Sequence, residues 1–324
     1  MKKILVTLPV TAEQKKRYAD TAPEAEFIFC RKEEVTAETV RSLTAVIGNI
    51  PPSMLAENQA IEWVQLNSAG TDGYLAEGVL SDTAVLTNAT GAYGVGIAEH
   101  MTGQLLMLFK KFPVYLENQK LHIWKDAGRV RSVCGSRILI VGMGDIGTEF
   151  AVRMKAFGAY VAGLRRTVRE KPDCVDEMDT IDNLERQLAL ADVVAVCLPG
   201  TKETFHLFSG RQFAAMKEGA VFLNVGRGNV VDTEALVDVL KTGKLSGASI
   251  DVCEKEPLPG DEELWDCPNL LLTPHVSGGF HLKYTVDRIV DISLKNLNAY
   301  INGGEYLSVV DRRTGYKISG SVSG

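Results

Sequence analysis

The sequence predicts an α/β protein of two domains, each built on a parallel sheet, and three observations carry that reading. The chain has 324 residues, enough for two ordinary cores. Short β-branched runs alternate with longer helical patterns along most of its length, as repeated strand–helix units do. One of those strands runs straight into the glycine turn Gly142-Met143-Gly144-Asp145-Ile146-Gly147.

In the first hundred residues, strands are expected over residues 3–8, 26–29, 45–48, 63–67 and 84–87, with helix-forming segments such as residues 36–43 between them. A mixed apolar and polar run over residues 97–121 has no proline until Pro113 and predicts one long helix leaving this unit. After a polar stretch, residues 125–136, a second series opens. Its strands are expected over residues 137–141, 160–164, 192–197, 220–224, 248–251 and 270–273. Six strands with the glycine turn after the first is the count of a dinucleotide-binding domain. The last helical pattern, residues 284–301, opens no further unit and is stopped by Gly303-Gly304. It is expected to return to the first domain. The expected division is therefore residues 1–98 with 285–324, and residues 99–284. The small polar tail, residues 319–324, is expected to fray.

Composition narrows the function. With 45% apolar and 23% charged residues the chain is globular rather than disordered. A net charge of -6, with only short separated basic clusters (Lys15-Lys16-Arg17, Arg165-Arg166, Arg312-Arg313), argues against a nucleic-acid surface. The six cysteines show no Cys-x-x-Cys spacing, and Cys30 and Cys197 fall in runs that read as buried strands, so reduced thiols in a cytoplasmic protein are expected. The opening Met1-Lys2-Lys3-Ile4-Leu5-Val6 superficially resembles a signal peptide. Its apolar run is too short, and a strand followed by an exposed helix is expected instead. No apolar run approaches the ~18 residues of a membrane span.

The glycine turn has the right context on both sides. Arg137-Ile138-Leu139-Ile140-Val141 is a buried-strand run, and Thr148-Glu149-Phe150-Ala151 reads as helix. Gly142 permits the tight turn, Gly144 lets a pyrophosphate approach the backbone, and Gly147 lets the helix pack on the strand. The N–H groups at the helix N-terminus, around Asp145, Ile146 and Gly147, are then expected to face the phosphates. The next strand ends in Arg165-Arg166-Thr167, where an NAD enzyme usually places an acid for the ribose. Two guanidiniums and a hydroxyl attract a 2′-phosphate, so NADP(H) is expected in preference to NAD(H). The plain alternative is a solvated arginine loop.

Three further residues stand just past expected strand ends, at the carboxyl edge where ligands sit in such sheets. Arg227 lies in Asn224-Val225-Gly226-Arg227-Gly228, Glu256 in Asp251-Val252-Cys253-Glu254-Lys255-Glu256-Pro257, and His275 in Thr273-Pro274-His275. Taken singly, each has a bland reading: a surface ion-pair partner, a solvated acid, a satisfied histidine.

Taken in order with the glycine turn, these motifs resemble the D-2-hydroxyacid dehydrogenase family. The resemblance extends through Asn67-Ser68-Ala69-Gly70-Thr71-Asp72, Asn88 to Gly91, Ala98-Glu99-His100 and Leu198-Pro199-Gly200-Thr201-Lys202-Glu203-Thr204, covering nearly the whole chain. It implies two Rossmann/flavodoxin-like domains, with the active site in the interdomain cleft. His275 would be the general acid in 2-oxoacid reduction and the base in reverse, a role imidazole suits. Glu256 would hydrogen-bond its other ring nitrogen, fixing the tautomer and favouring imidazolium. Arg227 would clamp the substrate carboxylate and polarise the carbonyl, a planar task that lysine performs poorly. Backbone N–H groups of Ser68, Ala69 and Gly70 would anchor the carboxylate a second time. Asp251 would face the nicotinamide amide, while Leu198, Pro199, Thr201, Val225 and Gly226 would line the coenzyme path with Arg227 and His275.

The resemblance suggests a glyoxylate- or hydroxypyruvate-like substrate. A phosphoglycerate or phosphoerythronate dehydrogenase would need an arginine cluster near the Ser68 or Asn88 motifs, and none is evident. A dinucleotide-sensing corepressor-like protein would be free to lose Arg227, Glu256 or His275, and all three are present. Tyr93 replaces a more usual polar stretch and either shapes the pocket or sits at a domain interface. His281 reads as solvent-facing. His100, His122 and His206 read as structural, with no metal-ligand spacing anywhere. Family members commonly dimerise through the cofactor domain. The helix over residues 101–109, with the segment around Trp124, is the candidate homodimer interface, or else ordinary core.

Overall fold

The structure, a computed structural model, describes residues 1–71, 73–167 and 170–313. Asp72 and the tail at residues 319–324 lie outside the described residues. The chain forms two compact units: Met1–Tyr93 together with the segment that begins at Phe280, and Gly94–Gly279.

The first unit alternates β1 (Lys3–Val6), α1 (Ala12–Thr21), β2 (Glu26–Phe29), α2 (Ala37–Arg41), β3 (Ala45–Ile47), α3 (Pro52–Leu55), β4 (Trp63–Gln65) and β5 (Val85–Thr87). Local chemistry starts its helices. Thr11 and Gln14 form a reciprocal capping box on α1, and the Thr36 hydroxyl accepts from Thr39 N at α2. The five strands pair in parallel in the order β2-β1-β3-β4-β5, the flavodoxin-like arrangement. Ile4, Leu5, Val46, Ile47, Trp63 and Val64 are fully buried, because both faces of such a sheet are covered.

The second unit begins with α4 (Gly94–Phe109) and α5 (Phe112–Lys120). The single helix expected over residues 97–121 is thus two. The break falls at Lys111, whose φ of 57° is left-handed, and Pro113 then sits in the first turn of α5, where a missing N–H costs nothing. On α4, Met101, Leu105 and Phe109 are buried within their own unit, where α4 packs against a neighbouring helix. Much of the helix expected at an interface is therefore core. The exposed apolar surface lies beyond it, at Phe112, Leu116, Leu121, Ile123 and Trp124.

The series continues through β6 (Arg137–Val141), α6 (Asp145–Ala156), which is the helix packed on α4, β7 (Tyr160–Arg165), β8 (Glu177–Thr180), α7 (Leu184–Leu188), β9 (Val193–Val196), α8 (Gly210–Ala215), β10 (Ala220–Asn224), α9 (Thr233–Lys241), β11 (Leu245–Ile250) and β12 (Leu270–Leu272). The sheet has seven parallel strands, not six, in the order β12-β11-β10-β9-β6-β7-β8. The unexpected one is β8, whose sequence Glu-Met-Asp-Thr carries no buried residue and lacks an apolar run. From β8 inward the order is the Rossmann one, extended by β12 at the far edge. The strand order reverses between β6 and β9, so the glycine turn after β6 stands at the switch point. Phe208, Phe213 and Phe222 pack on one another in the core of this unit, with ring centroids 5.2–6.1 Å apart.

The last helix, α10 (Lys283–Asn302), belongs to the first unit and packs on α1. Gln14 Nε2 donates to Asp287 at 3.0 Å, and the buried Asn296 Nδ2 donates to Gln65 Oε1 at 2.6 Å. All six cysteines are free thiols. Among the described residues no helix is long and apolar enough to cross a membrane.

Candidate active site

The three turn glycines differ in what demands them. Gly142 has φ +105°, and a Cβ there would meet the Cys197 carbonyl at 2.7 Å. A Cβ on Gly147 would meet Gly142 O at 2.2 Å. Those two are required by the protein's own packing. A Cβ on Gly144 would meet nothing within 4 Å, so a small residue there leaves space rather than filling a contact. Gly144 is also the N-cap of α6 and offers no side-chain cap, so the first-turn N–H groups have no intrahelical partner. A pyrophosphate fits both features. The Asp145 carboxylate turns to Gly94, accepting from its N–H at 2.9 Å.

Arg165 ends β7 and reaches back over the turn, its Nε donating to Met143 O at 2.9 Å. Arg166 and Thr167 follow, both exposed. A guanidinium fixed to the turn, with a second cation beside it, could hold an anion on the adenosine side.

At the end of β10, the buried Asn224 shapes the next segment. Its Oδ1 accepts from Gly226 N at 3.0 Å and its Nδ2 donates to Arg227 O at 3.2 Å. Gly226 then packs against Leu198, where a Cβ would meet the carbonyl at 2.2 Å. Arg227 leaves this turn with Nη1 on Gly226 O at 2.9 Å. Its neighbour Gly228 lies against the backbone of Cys253 and Glu254.

Asp251, at the end of β11, is 1% exposed. Its carboxylate accepts from Thr273 Oγ1 at 2.6 Å, Val276 N at 3.0 Å, Ser277 N at 3.1 Å and Ser277 Oγ at 2.5 Å. Four donors occupy the lone-pair sites of a carboxylate. Through these bonds Asp251 holds the turn that presents His275. That turn needs holding, since His275 has φ 52°, uncommon without glycine. Its N–H donates to Asp251 O at 2.8 Å.

The His275 side chain meets Glu256, with Nδ1 and Oε2 2.8 Å apart, while Glu256 Oε1 accepts from Cys253 N at 3.0 Å. Nε2 of His275 makes no hydrogen bond among the described residues, and the ring is half exposed, at 49%. A tautomer fixed on one nitrogen with the other open is the arrangement of a proton donor or acceptor. Thr201, farther along the same sheet edge, shares hydrogen bonds with Thr204, and Thr204 Oγ1 donates to Pro199 O at 2.7 Å, which shapes the segment after Leu198.

In the first unit, Ser68, Ala69 and Gly70 follow β4. Their backbone N–H groups make no hydrogen bonds among the described residues, although their surroundings are well tied. Asn49 accepts from Asn67 N at 2.9 Å and donates to Ser68 Oγ at 2.9 Å, and Asn88 Nδ2 donates to Ala69 O at 2.7 Å. Tyr93 is 8% exposed, burial pushes its phenol above the usual range, and its hydroxyl donates to Asn67 O. It braces this loop. Asn49 was not legible in advance; a lone asparagine after a strand gives no signal until the fold brings Ser68 beside it.

Of the remaining histidines, His100 meets Thr273 Oγ1 at 3.2 Å, His281 is exposed, and His206 pairs with Glu254 at 2.5 Å. Among the described residues no group of three His, Cys, Asp or Glu side chains could hold a metal ion.

Residues 102–277 match the family model described as D-isomer specific 2-hydroxyacid dehydrogenase, NAD binding domain, which makes the chain an NAD(P)-dependent oxidoreductase acting on a CH–OH group. A probable 2-ketogluconate reductase of Dictyostelium discoideum is 32% identical over 275 residues, 82% of this chain and 81% of that one. Among solved structures, a D-isomer specific 2-hydroxyacid dehydrogenase family protein from Aeromonas salmonicida subsp. salmonicida A449 is similar with TM-score 0.85 and 32% identity, covering 96% of this chain and 99% of that one. An NADPH-dependent glyoxylate/hydroxypyruvate reductase from Sinorhizobium meliloti, solved with NADP and sulfate, gives TM-score 0.82 and 25% identity over 98% of this chain and 100% of that one. The chain belongs to the D-isomer specific 2-hydroxyacid dehydrogenase family.

Proposed function

We propose that this protein reduces a small unphosphorylated 2-oxoacid, of the glyoxylate or hydroxypyruvate kind, to the D-2-hydroxyacid, with NADPH preferred over NADH. The observation that carries the reading is the Glu256–His275 couple, with Nδ1 engaged and Nε2 open at the carboxyl edge of the second sheet. In this reading residues 99–284 bind the dinucleotide, and residues 1–98 with 285–324 bind the substrate.

Gly142, Gly144, Ile146 and Gly147 with the start of α6 would hold the pyrophosphate, Arg165, Arg166 and Thr167 the 2′-phosphate, and Leu198, Pro199, Thr201, Val225 and Gly226 the path between. The bound coenzyme supplies a hydride equivalent. The chain's own residues do the rest. Arg227 pairs with the substrate carboxylate and draws charge toward the carbonyl oxygen. In the first unit, the open N–H groups of Ser68, Ala69 and Gly70 would serve as donors to a substrate carboxylate. His275 delivers a proton from Nε2 to the developing alkoxide, and Glu256 stabilises the imidazolium that makes it an acid. The glyoxylate/hydroxypyruvate reductase among the similar structures supports this substrate class.

We place the protein in the cytoplasm as a homodimer. Its free thiols support the compartment, and the exposed apolar side chains after α4, Trp124 foremost, support the pairing.

A screen of 2-oxoacids with both reduced coenzymes, following coenzyme absorbance, tests the reading. Turnover of glyoxylate or hydroxypyruvate with higher kcat/KM for NADPH is expected. Coenzyme binding without turnover of any 2-oxoacid would point to a sensor instead, and an NADH preference would overturn the 2′-phosphate assignment.

A further inference from the structure

A second histidine–glutamate pair stands on the same loop as the first. Glu254 lies two positions before Glu256, and its carboxylate is a junction of three segments. Oε1 faces His206 Nε2 at 2.5 Å. Oε2 accepts from Thr233 N at 2.9 Å and also from the Thr233 hydroxyl, at the start of α9. Although burial opposes it, the hydrogen bonds from Thr233 and His206 hold the Glu254 carboxyl below the usual carboxylate range.

Each segment meeting there carries part of the proposed site. His206 ends the stretch that begins with Leu198, Pro199 and Thr201. Its backbone is itself pinned, with φ 47° and its N–H on Asn229 O at 2.9 Å, and the Phe205 ring stacks on the imidazole at 4.0 Å. Thr233 follows the turn from Arg227 through Asn229, where Gly228 is pressed on the Cys253–Glu254 backbone so closely that a Cβ would meet Cys253 C at 1.9 Å. Glu254 leads, through Cys253 N on Glu256 Oε1, to the carboxylate that orients His275. An exposed structural histidine would not need this convergence.

We infer that Glu254, clamped by His206 and Thr233, is a positioning residue for the Glu256–His275 couple, acting by fixing the backbone at Cys253 from which Glu256 is aimed. This rests on the reading of that couple as the acid–base pair. With the clamp released, the Cys253 N–H no longer fixes Glu256 Oε1, the carboxylate leaves Nδ1 part of the time, and His275 spends that time in the wrong tautomer or without its counter-charge. Coenzyme and substrate sites remain formed. The effect therefore falls on kcat and on the proton step rather than on binding.

The test compares His206→Ala, Glu254→Ala and His206→Gln in the full chain, with His275→Asn as reference. Glutamine keeps a donor for Glu254 without an imidazole. His206→Ala and Glu254→Ala are expected to lower kcat about tenfold, a part of the ~10²–10⁴ that acid–base catalysis supplies. Coenzyme affinity is unchanged in both, and His206→Gln recovers most of the loss. Wild-type kcat in His206→Ala, with His275→Asn inactive, would overturn the clamp and leave the acid–base pair standing. Full turnover in His275→Asn would overturn the pair itself. Equal loss of kcat and coenzyme affinity in all three clamp variants would mark ordinary structural damage and overturn the inference.

Discussion

Substituting Gly228 by alanine examines the architecture of the site without touching a polar group. Gly228 has no left-handed backbone to relieve; what it needs is space. An added Cβ would lie 1.9 Å from Cys253 C, 2.0 Å from Cys253 O and 2.4 Å from Glu254 N. Carbon atoms in contact sit near ~3.5–4.0 Å, so the two backbones must part by roughly 1.5–2 Å. Both partners are main chain, so no rotamer change relieves the clash. The displaced segment is the one whose Cys253 N–H holds Glu256 Oε1. Since ~1 Å of misplacement costs a reaction about 10²-fold, kcat for 2-oxoacid reduction should fall by at least that factor, or about 2.7 kcal/mol of barrier. Overpacking should also cost about 1–3 kcal/mol of stability, lowering the melting temperature by roughly 2–12 °C. The assay is steady-state turnover with coenzyme binding measured separately. A Gly228→Ala protein that folds and turns over at the wild-type rate would refute the claim that this contact aims Glu256.

Two further outcomes follow from single residues. Arg166→Ser is the cleaner probe of coenzyme choice, because Arg165 also anchors the glycine turn through Met143 O. Losing one charged hydrogen bond of about 1.5–3 kcal/mol should lower kcat/KM for NADPH roughly 10–100-fold and leave NADH nearly unchanged; equal effects on both would contradict a 2′-phosphate site. Asp179, near the end of the edge strand β8, accepts from Thr180 N, Asn183, Arg186 and Gln187, and these donors outweigh its burial and hold its carboxyl well below the usual carboxylate range. Because the folded group titrates lower than the unfolded one, its stabilisation is complete above the unfolded value and is lost as pH falls through the folded one. Denaturant midpoints of wild type and Asp179→Asn should therefore differ fully at neutral pH and converge well below pH 3.8; a gap that persists in strong acid would remove the ionised carboxylate as its cause.

What the sequence disclosed follows from where its information is local. Buried parallel strands such as Arg137–Val141 and Ala220–Asn224 are continuous apolar runs, and both were legible to their end residues. Edge strand β8 is not such a run; Glu177 and Asp179 are held by Arg137, Arg186 and Gln187, partners brought from elsewhere by the fold. The break between α4 and α5 was hidden because Lys111 adopts a left-handed backbone that its residue type does not announce. At the site, Arg227, Glu256 and His275 were named from motif order. The Glu256–His275 contact was expected only through the family resemblance, because a spacing of 19 residues by itself says nothing of which loop returns to which. Asp251 was named from the resemblance, while its hydrogen bonds to Thr273, Val276 and Ser277 left no signature in the sequence. Asn49 and the His206–Glu254 pair carry no local signature at all.

The proposed chemistry rests on one proton leaving one nitrogen. Single-turnover oxidation of NADPH by glyoxylate in wild type and His275→Asn measures that step directly, with Asn unable to donate as imidazolium does. The account predicts a loss of ~10²–10⁴-fold in the rate of the chemical step with NADPH still bound. A His275→Asn protein that oxidises NADPH at the wild-type rate would contradict it.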